Sequence, residues 1–143
     1  MSPVLECVPN FSEGRDPAVI RAIAETLGSV PGAKVLHIDP GHSANRTVVT
    51  FAGAPASVTE AAFRAIRRAG ELIDMTRHHG EHPRLGATDV CPLVPVSGIT
   101  LDEAAVLARA LAERVGRELN LPVYLYEHAQ PDPARRNLAD IRT

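Results

Sequence analysis

The densest cluster of reactive side chains in the sequence lies between positions 78 and 89. It holds His78, His79 and His82 together with a glutamate, an arginine and an aspartate. An unperturbed imidazole has a pKa of about 6.5, so it can accept or donate a proton near neutral pH. Pro83 restricts His82 to an extended conformation, which suits a loop that presents the ring to a substrate. We therefore predict that His82 is a general acid–base group, and that His78 and His79 are solvated at a helix end.

A metal site is the alternative interpretation of the same segment. His78 and His82 have the spacing of the histidines in the H-E-x-x-H zinc motif, in which a glutamate directly follows the first histidine. Here Glu81 is displaced, Gly80 weakens a helix and Pro83 opposes one. We therefore expect no metal, and a histidine-ligated metal hydrolase is the weakest of the functions considered.

Two further polar clusters could bind a substrate, although each also suits an ordinary turn. Residues 10–15 read Asn-Phe-Ser-Glu-Gly-Arg, which equally describes a strand-to-helix turn with Gly14 in an unusual backbone conformation. Residues 39–46 combine an Asp-Pro-Gly turn with an imidazole, an amide and a guanidinium group. The guanidinium groups of Arg46 and Arg84 match carboxylates, so they indicate an acidic substrate unless they pair with acids of the fold.

Composition narrows the class of protein. The 143 residues, 45% of them hydrophobic, predict one domain with one core. A net charge of −2, a single lysine at Lys34 and only three Phe and two Tyr oppose nucleic-acid binding. Because the sequence has neither a membrane-length apolar run nor a secretory pattern, we expect a cytoplasmic protein without a membrane partner. Cys7 and Cys91 lie in apolar segments and are expected to be reduced, buried thiols.

Three amphipathic helices are predicted to position the polar clusters. Asp16 with Pro17 marks one helix start, and the S-x-x-E and T-x-x-E capping boxes at 57–60 and 100–103 mark two more. Gly28 is expected to end the first helix in a left-handed conformation. The predicted helices run from Pro17 to Gly28, from Ser57 to about Met75, and from Thr100 to Leu119. The apolar positions expected to pack them against a sheet are Ile20, Ile23, Leu27, Val58, Ile66, Ile73, Leu107, Leu111 and Val115.

The segments between the helices predict strands, because they are rich in β-branched residues. These strands are residues 3–11, Lys34–Asp39, Thr47–Ala52, Val90–Val96 and Val123–Tyr126. The first six elements follow the ferredoxin-like split βαβ order, an α+β fold with a mainly antiparallel sheet and helices on one face. A doubly wound parallel sheet is the alternative, but the connection at 39–46 is too short for a crossover helix and favours a hairpin.

Three strings of the sequence together resemble the N-terminal subdomain of glutamate formiminotransferase, in the formimidoyltransferase-cyclodeaminase family. They are ECVPNFSEG at 6–14, DPGHSANRTVVTFAG at 39–53 and GEHPRLGATDVCP at 80–92, and the match continues in order from near Val4 to Arg142. The resemblance implies transfer of the formimino group from N-formimino-L-glutamate to N5 of tetrahydrofolate. This step links histidine degradation to one-carbon metabolism. His82 matches the catalytic histidine of the family.

The family's architecture implies further expectations. Its members build the transferase from two ferredoxin-like subdomains with a folate site in the groove between them, and they are commonly homo-oligomers. This sequence reaches Thr143, short of the remaining first-subdomain residues and of the second subdomain, so the resemblance implies that full activity needs more chain. The alternative is a non-catalytic module of the same fold that binds folate, an acidic ligand or a protein partner.

The residues agree with the implied reaction. Attack of an amine on an amidine-like carbon requires one proton to leave the nucleophile and another to reach the departing nitrogen, and one histidine can perform both transfers. Asp39 is the candidate that orients this imidazole or stabilises its charged form. The predicted substrate-binding residues are Asn10, Ser12, Glu13, His42, Asn45, Arg46 and Arg84.

Overall fold

The computed structural model describes residues 2–76 and 86–138. Its strands are β1 (Val4–Cys7), β2 (Asn10–Phe11), β3 (Ala33–Gly41), β4 (Arg46–Gly53), β5 (Thr88–Val90) and β6 (Leu93–Ser97). Its α-helices are α1 (Pro17–Gly28), α2 (Pro55–Leu72) and α3 (Leu101–Leu119), and two single 3₁₀ turns follow at Glu127–Ala129 and Pro133–Arg135. None of the helices within these described ranges is long and apolar enough to cross a membrane.

All six strands belong to one antiparallel sheet. β1 and β2 run in succession along β4, and β5 and β6 run in succession along β2 and β1. β3 pairs with the other edge of β4 along most of its length. Taking each interrupted pair as one strand, the spatial order is fourth, first, third, second, which is the ferredoxin-like arrangement. The predicted α+β fold and the predicted hairpin between β3 and β4 are both confirmed.

The helices pack on one face of this sheet, and as a result buried and partly exposed residues alternate along the strands. On β4, Thr47, Val49 and Phe51 are buried, whereas the residues between them are partly exposed. The opposite surface, called here the open face, carries Glu6, Asn10, Asp39, Val48 and Val94. Of the nine apolar positions predicted to pack the helices, six are buried and Ile66 and Leu107 pack against the core. Ile20 instead lines a surface groove.

Two of the three predicted helix starts are confirmed. Asp16 accepts a hydrogen bond from Ala18 N–H at 2.9 Å, and Thr100 forms both halves of a capping box with Glu103. The start predicted at Ser57 is wrong, because α2 begins at Pro55. Proline at the first helical position has no N–H to leave unsatisfied and a fixed φ suited to a helix.

The predicted left-handed end at Gly28 is also wrong. Among the described residues, glycines with positive φ occur at 32, 53 and 98 only. Instead, α1 closes through Ser29, whose N–H and hydroxyl both donate to the Thr26 carbonyl, at 3.3 and 2.7 Å. The carbonyl is therefore satisfied by a tight turn that needs no positive φ.

The strand predicted at Val123–Tyr126 is not formed. This segment pairs with no strand among the described residues, and Val123 and Tyr124 are exposed. The side chain of Gln130 donates to the Leu125 carbonyl at 3.2 Å, so a local contact replaces a ladder bond. The β-propensity of a segment reflects its packing on a sheet, and this segment does not pair with the sheet.

Candidate active site

Three segments distant in sequence meet at one end of the sheet. They are the turn from β2 into α1, the turn between β3 and β4, and the start of β5. β2 lies between β4 and β5, where Asn10 pairs with Val48 of β4 on one side and with Val90 of β5 on the other. Two of the sequence clusters, at 10–15 and 39–46, are thereby placed in contact.

Asn45 and Gly14 connect the first two segments. Asn45 is only 3% exposed, has a φ of 51°, and accepts a hydrogen bond from Gly14 N–H at 2.9 Å. Asparagine tolerates this left-handed conformation in turns. The expected unusual conformation of Gly14 is not found. Its lack of a side chain serves close packing instead, because a Cβ there would overlap the Gly41 carbonyl oxygen and lie 2.6 Å from Arg46 N.

The Glu13 side chain stabilises the turn that leads into α1. Its carboxylate is buried and accepts hydrogen bonds from Arg15 N–H at 2.9 Å and Asp16 N–H at 3.0 Å. Its carbonyl accepts a hydrogen bond from the Thr47 hydroxyl, which ties the turn to β4. Arg15 Nε in turn donates to the His42 carbonyl at 2.8 Å. The Glu13 carboxylate therefore satisfies backbone donors that a polar turn would otherwise leave to water.

Ser12 holds the third segment against the other two. Its hydroxyl donates to the Gly86 carbonyl at 2.6 Å, and its N–H donates to the Ala87 carbonyl at 2.8 Å. Since Ser12 is fully buried, these bonds are shielded from water. They fix Gly86, the first residue described after the histidine-rich segment.

Arg46 and Asp89 bring opposite charges together beside this contact. Their closest atoms, Nη1 and Oδ2, are 3.9 Å apart. The Asp89 side chain is fully buried, whereas that of Arg46 is 25% exposed. A buried carboxylate requires compensation, so Arg46 contributes to the fold while part of its guanidinium group faces solvent.

Asn10 and Asp39 lie on the open face, on either side of the same residue. Both pair with Val48 in β4, so the two side chains point to the same side of the sheet about 10 Å apart, two strand spacings. Asp39 is exposed and Asn10 is partly exposed, and His42 is exposed in the β3–β4 turn. These groups can reach a ligand on the open face.

A separate groove of about 800 Å³ lies on the helix side, between α1 and β3. Its walls are largely apolar and include Ile20 and Ile38, with Arg21 and Lys34 among the lining residues. Because Ile38 pairs with the buried Val49, this wall belongs to the side of β3 opposite to Asp39. The groove and the open face are therefore distinct surfaces.

The remaining predicted site residues, His82 and Arg84, lie outside the described residues, as do His78 and His79. Within the described ranges no group of three His, Cys, Asp or Glu residues could hold a metal ion. The expectation of no metal in the histidine-rich segment therefore stays a prediction.

Comparison with known proteins identifies the family. The family model of the formiminotransferase domain, N-terminal subdomain, matches residues 4–143. The chain belongs to the formiminotransferase N-terminal subdomain family. The resemblance seen in the sequence is thus confirmed.

Named relatives agree with this assignment. The chain is 51% identical over 142 residues to formimidoyltransferase-cyclodeaminase of Rattus norvegicus, covering 99% of this chain and 26% of the relative. It is 49% identical over 142 residues to glutamate formimidoyltransferase of Streptococcus pyogenes serotype M1, covering 99% and 48%. A glutamate formimidoyltransferase of Thermoplasma acidophilum is 48% identical over 141 residues, with coverage of 97% and 46%. The chain therefore spans about a quarter of the rat protein and about half of each microbial one.

The structure adds two residues to the candidate site that were not among the predicted site residues. Asp89 faces Arg46, and Thr47 anchors the Glu13 carbonyl. Asp89 could have been selected from the sequence, because it places a carboxylate directly before the apolar residue Val90 in a predicted strand region. Nothing in the sequence distinguishes Thr47 from other strand threonines.

Proposed function

We propose that this chain forms part of an enzyme that transfers the formimino group from N-formimino-L-glutamate to N5 of tetrahydrofolate, with His82 as the general acid–base group. The observation that carries this proposal is the interlocking of residues 10–15, 42–47 and 86–89 at one end of the sheet. Relatives named glutamate formimidoyltransferase are 49% and 48% identical to this chain over 142 and 141 residues.

The reaction needs a proton acceptor and then a proton donor at one place. N5 of tetrahydrofolate attacks the formimino carbon, the N5 proton leaves, and a proton reaches the glutamate nitrogen as its bond to carbon breaks. In our proposal the His82 imidazole takes the first proton and supplies the second. Asp39 orients this imidazole or stabilises its charged form.

We assign the predicted binding residues to two tasks. Ser12, Glu13 and Asn45 are buried and bonded to backbone groups, so they position the site. The exposed residues of the site are the candidates for substrate contact, and they are Asn10, His42 and the outer part of Arg46. Arg46, together with Arg84, suits the carboxylates of an acidic substrate.

The open face supports a role for additional chain. One sheet surface is covered by helices, whereas the open face presents Asn10 and Asp39 beside apolar residues such as Val94, which is 41% exposed. We propose that tetrahydrofolate, as co-substrate, binds over this face with a second subdomain on its other side. Cytoplasmic location, homo-oligomerisation and the absence of a metal cofactor belong to the same proposal.

The test is formimino transfer by a complete enzyme that contains this chain. At saturating substrates, His82→Ala should lower turnover by about 10²–10⁴-fold, the scale of a positioned acid–base group. His79→Ala is the matched control and should do far less. Because attack requires the unprotonated base, the rate should also fall as the pH drops through the imidazole pKa.

Circular dichroism confirms that each variant is folded. A folded His82→Ala enzyme with turnover within about threefold of the parent would exclude the proposed role. Binding of tetrahydrofolate by the parent protein without any turnover would instead favour the non-catalytic binding module.

A further inference from the structure

The two cysteines of the chain contact each other across neighbouring strands. Cys7 ends β1 and Cys91 lies between β5 and β6, and their Sγ atoms are 3.5 Å apart. The chain contains no other cysteine. A disulfide within these 143 residues would therefore join these two cysteines.

The two thiols differ in accessibility. Cys7 is fully buried, and burial raises the pKa of its thiol well above the ordinary value, with a further contribution from the neighbouring Cys91. Cys91 is only partly buried. An oxidant that enters from solvent therefore meets Cys91 first, and Cys7 remains the protected partner.

The backbone around the two cysteines is irregular, although the Val8 N–H still donates to the Pro92 carbonyl at 3.2 Å. The ladder is interrupted in both strands, since β1 stops at Cys7 and β5 stops at Val90. Both interruptions contain a proline, Pro9 and Pro92, which cannot donate a ladder hydrogen bond. A disulfide needs the sulfur atoms to approach by about 1.5 Å from their present separation.

We propose that Cys7 and Cys91 form a reversible oxidation site, which hydrogen peroxide converts to an intramolecular disulfide. The Cys91 thiolate attacks one peroxide oxygen and the O–O bond breaks, which gives a sulfenic acid and a hydroxide ion; the hydroxide takes up the proton released by the thiol and becomes water. The Cys7 sulfur, after losing its proton, then attacks the Cys91 sulfur and displaces the hydroxyl group as a second water. Two thiols are thus oxidised by two electrons, and peroxide is reduced to water. A small dithiol reverses the step. This site is independent of the proposed transferase function.

The first experiment compares native and unfolded protein. The purified 143-residue protein is treated with hydrogen peroxide, remaining thiols are alkylated, and the intact mass is measured. We expect the loss of two hydrogens and of both alkylation sites, fully reversed by dithiothreitol. In guanidinium the disulfide should form at least about tenfold more slowly, because the cysteines are 84 positions apart in sequence.

Variants separate the two roles. Cys7→Ala should leave Cys91 to form a sulfenic acid that dimedone traps, whereas Cys91→Ser should leave Cys7 reduced at the same peroxide dose. The native-against-unfolded comparison needs no substitution, so it decides the question even if a Cys7 variant does not fold. The proposal is overturned if native protein forms the disulfide no faster than unfolded protein. Accumulation of Cys91 sulfinic acid beside a reduced Cys7 would overturn it equally.

Discussion

Replacement of Gly14 by alanine tests whether the interlocked end of the sheet depends on backbone contact. The added methyl group would overlap the Gly41 carbonyl oxygen and lie 2.6 and 2.9 Å from the Arg46 nitrogen and oxygen, all of them backbone atoms. The hairpin would have to retreat, which would also break the buried Gly14–Asn45 hydrogen bond. Overpacking costs about 1–3 kcal/mol and an orphaned buried polar group a similar amount, so the free energy of unfolding should fall by about 2–6 kcal/mol.

Urea unfolding followed by circular dichroism measures this loss. Gly70→Ala is the matched control, because Gly70 lies within α2 and is exposed, and a methyl group added there would meet no neighbouring atom within 4 Å. That substitution should raise stability by about 0.5–1 kcal/mol through the helix preference of alanine. The same glycine-to-alanine substitution should thus lower the free energy of unfolding at position 14 and raise it at position 70. A Gly14→Ala protein within about 0.5 kcal/mol of the parent would refute the close-contact reasoning.

Two further predictions concern the helices. The Arg114 guanidinium lies 3.6 Å from the centroid of the Phe63 ring and 2.9 Å from the Glu60 carboxylate. Arg114→Met should therefore lower the free energy of unfolding, measured in urea, by about 1–2 kcal/mol. An unchanged free energy of unfolding would contradict this prediction. Arg114 holds the pKa of Glu60 below its ordinary value, so the part of this stabilisation that comes from the Glu60 ion pair should be full above the unfolded pKa and disappear as the pH falls through the folded one. Thr100→Ala removes the capping box with Glu103 and should cost about 0.5–2 kcal/mol, whereas Thr100→Ser should retain most of it.

The fold was predictable where local chemistry and the hydrophobic pattern agree. The hairpin at 39–46 follows from a connection too short for a crossover, and the start of α3 follows from Thr100 and Glu103 alone. Sequence reasoning failed where two local signals compete. Pro55 and Ser57 both mark a helix start, and the proline, which comes first, determines it. It failed again at Val123–Tyr126, where a segment rich in strand-forming residues does not pair with the sheet.

For the candidate-site residues that the structure describes, the sequence could not separate groups that hold the backbone from groups open to a ligand. The sequence places Ser12, Glu13 and Asn45 among polar residues near turns, which is equally consistent with binding a substrate or with satisfying the backbone. Only the partners distinguish these tasks, and each partner is far away in sequence: Gly86 for Ser12, and Gly14 for Asn45. Such pairings depend on the register of the sheet, which no single string encodes.

The central position of β1 and β2 has a consequence for the order of folding. These strands are synthesised first, yet one of their edges is completed by β4 and the other by β5 and β6. While the ribosome has released only the first half of the chain, the edge opposite β4 lacks its partner, and the Ser12 hydroxyl awaits Gly86, 74 positions downstream. Closing contacts of this separation is entropically costly until the rest of the sheet exists. The nascent chain therefore carries a central strand with one unpaired edge until β5 and β6 have emerged, and the interlocked end of the sheet assembles late.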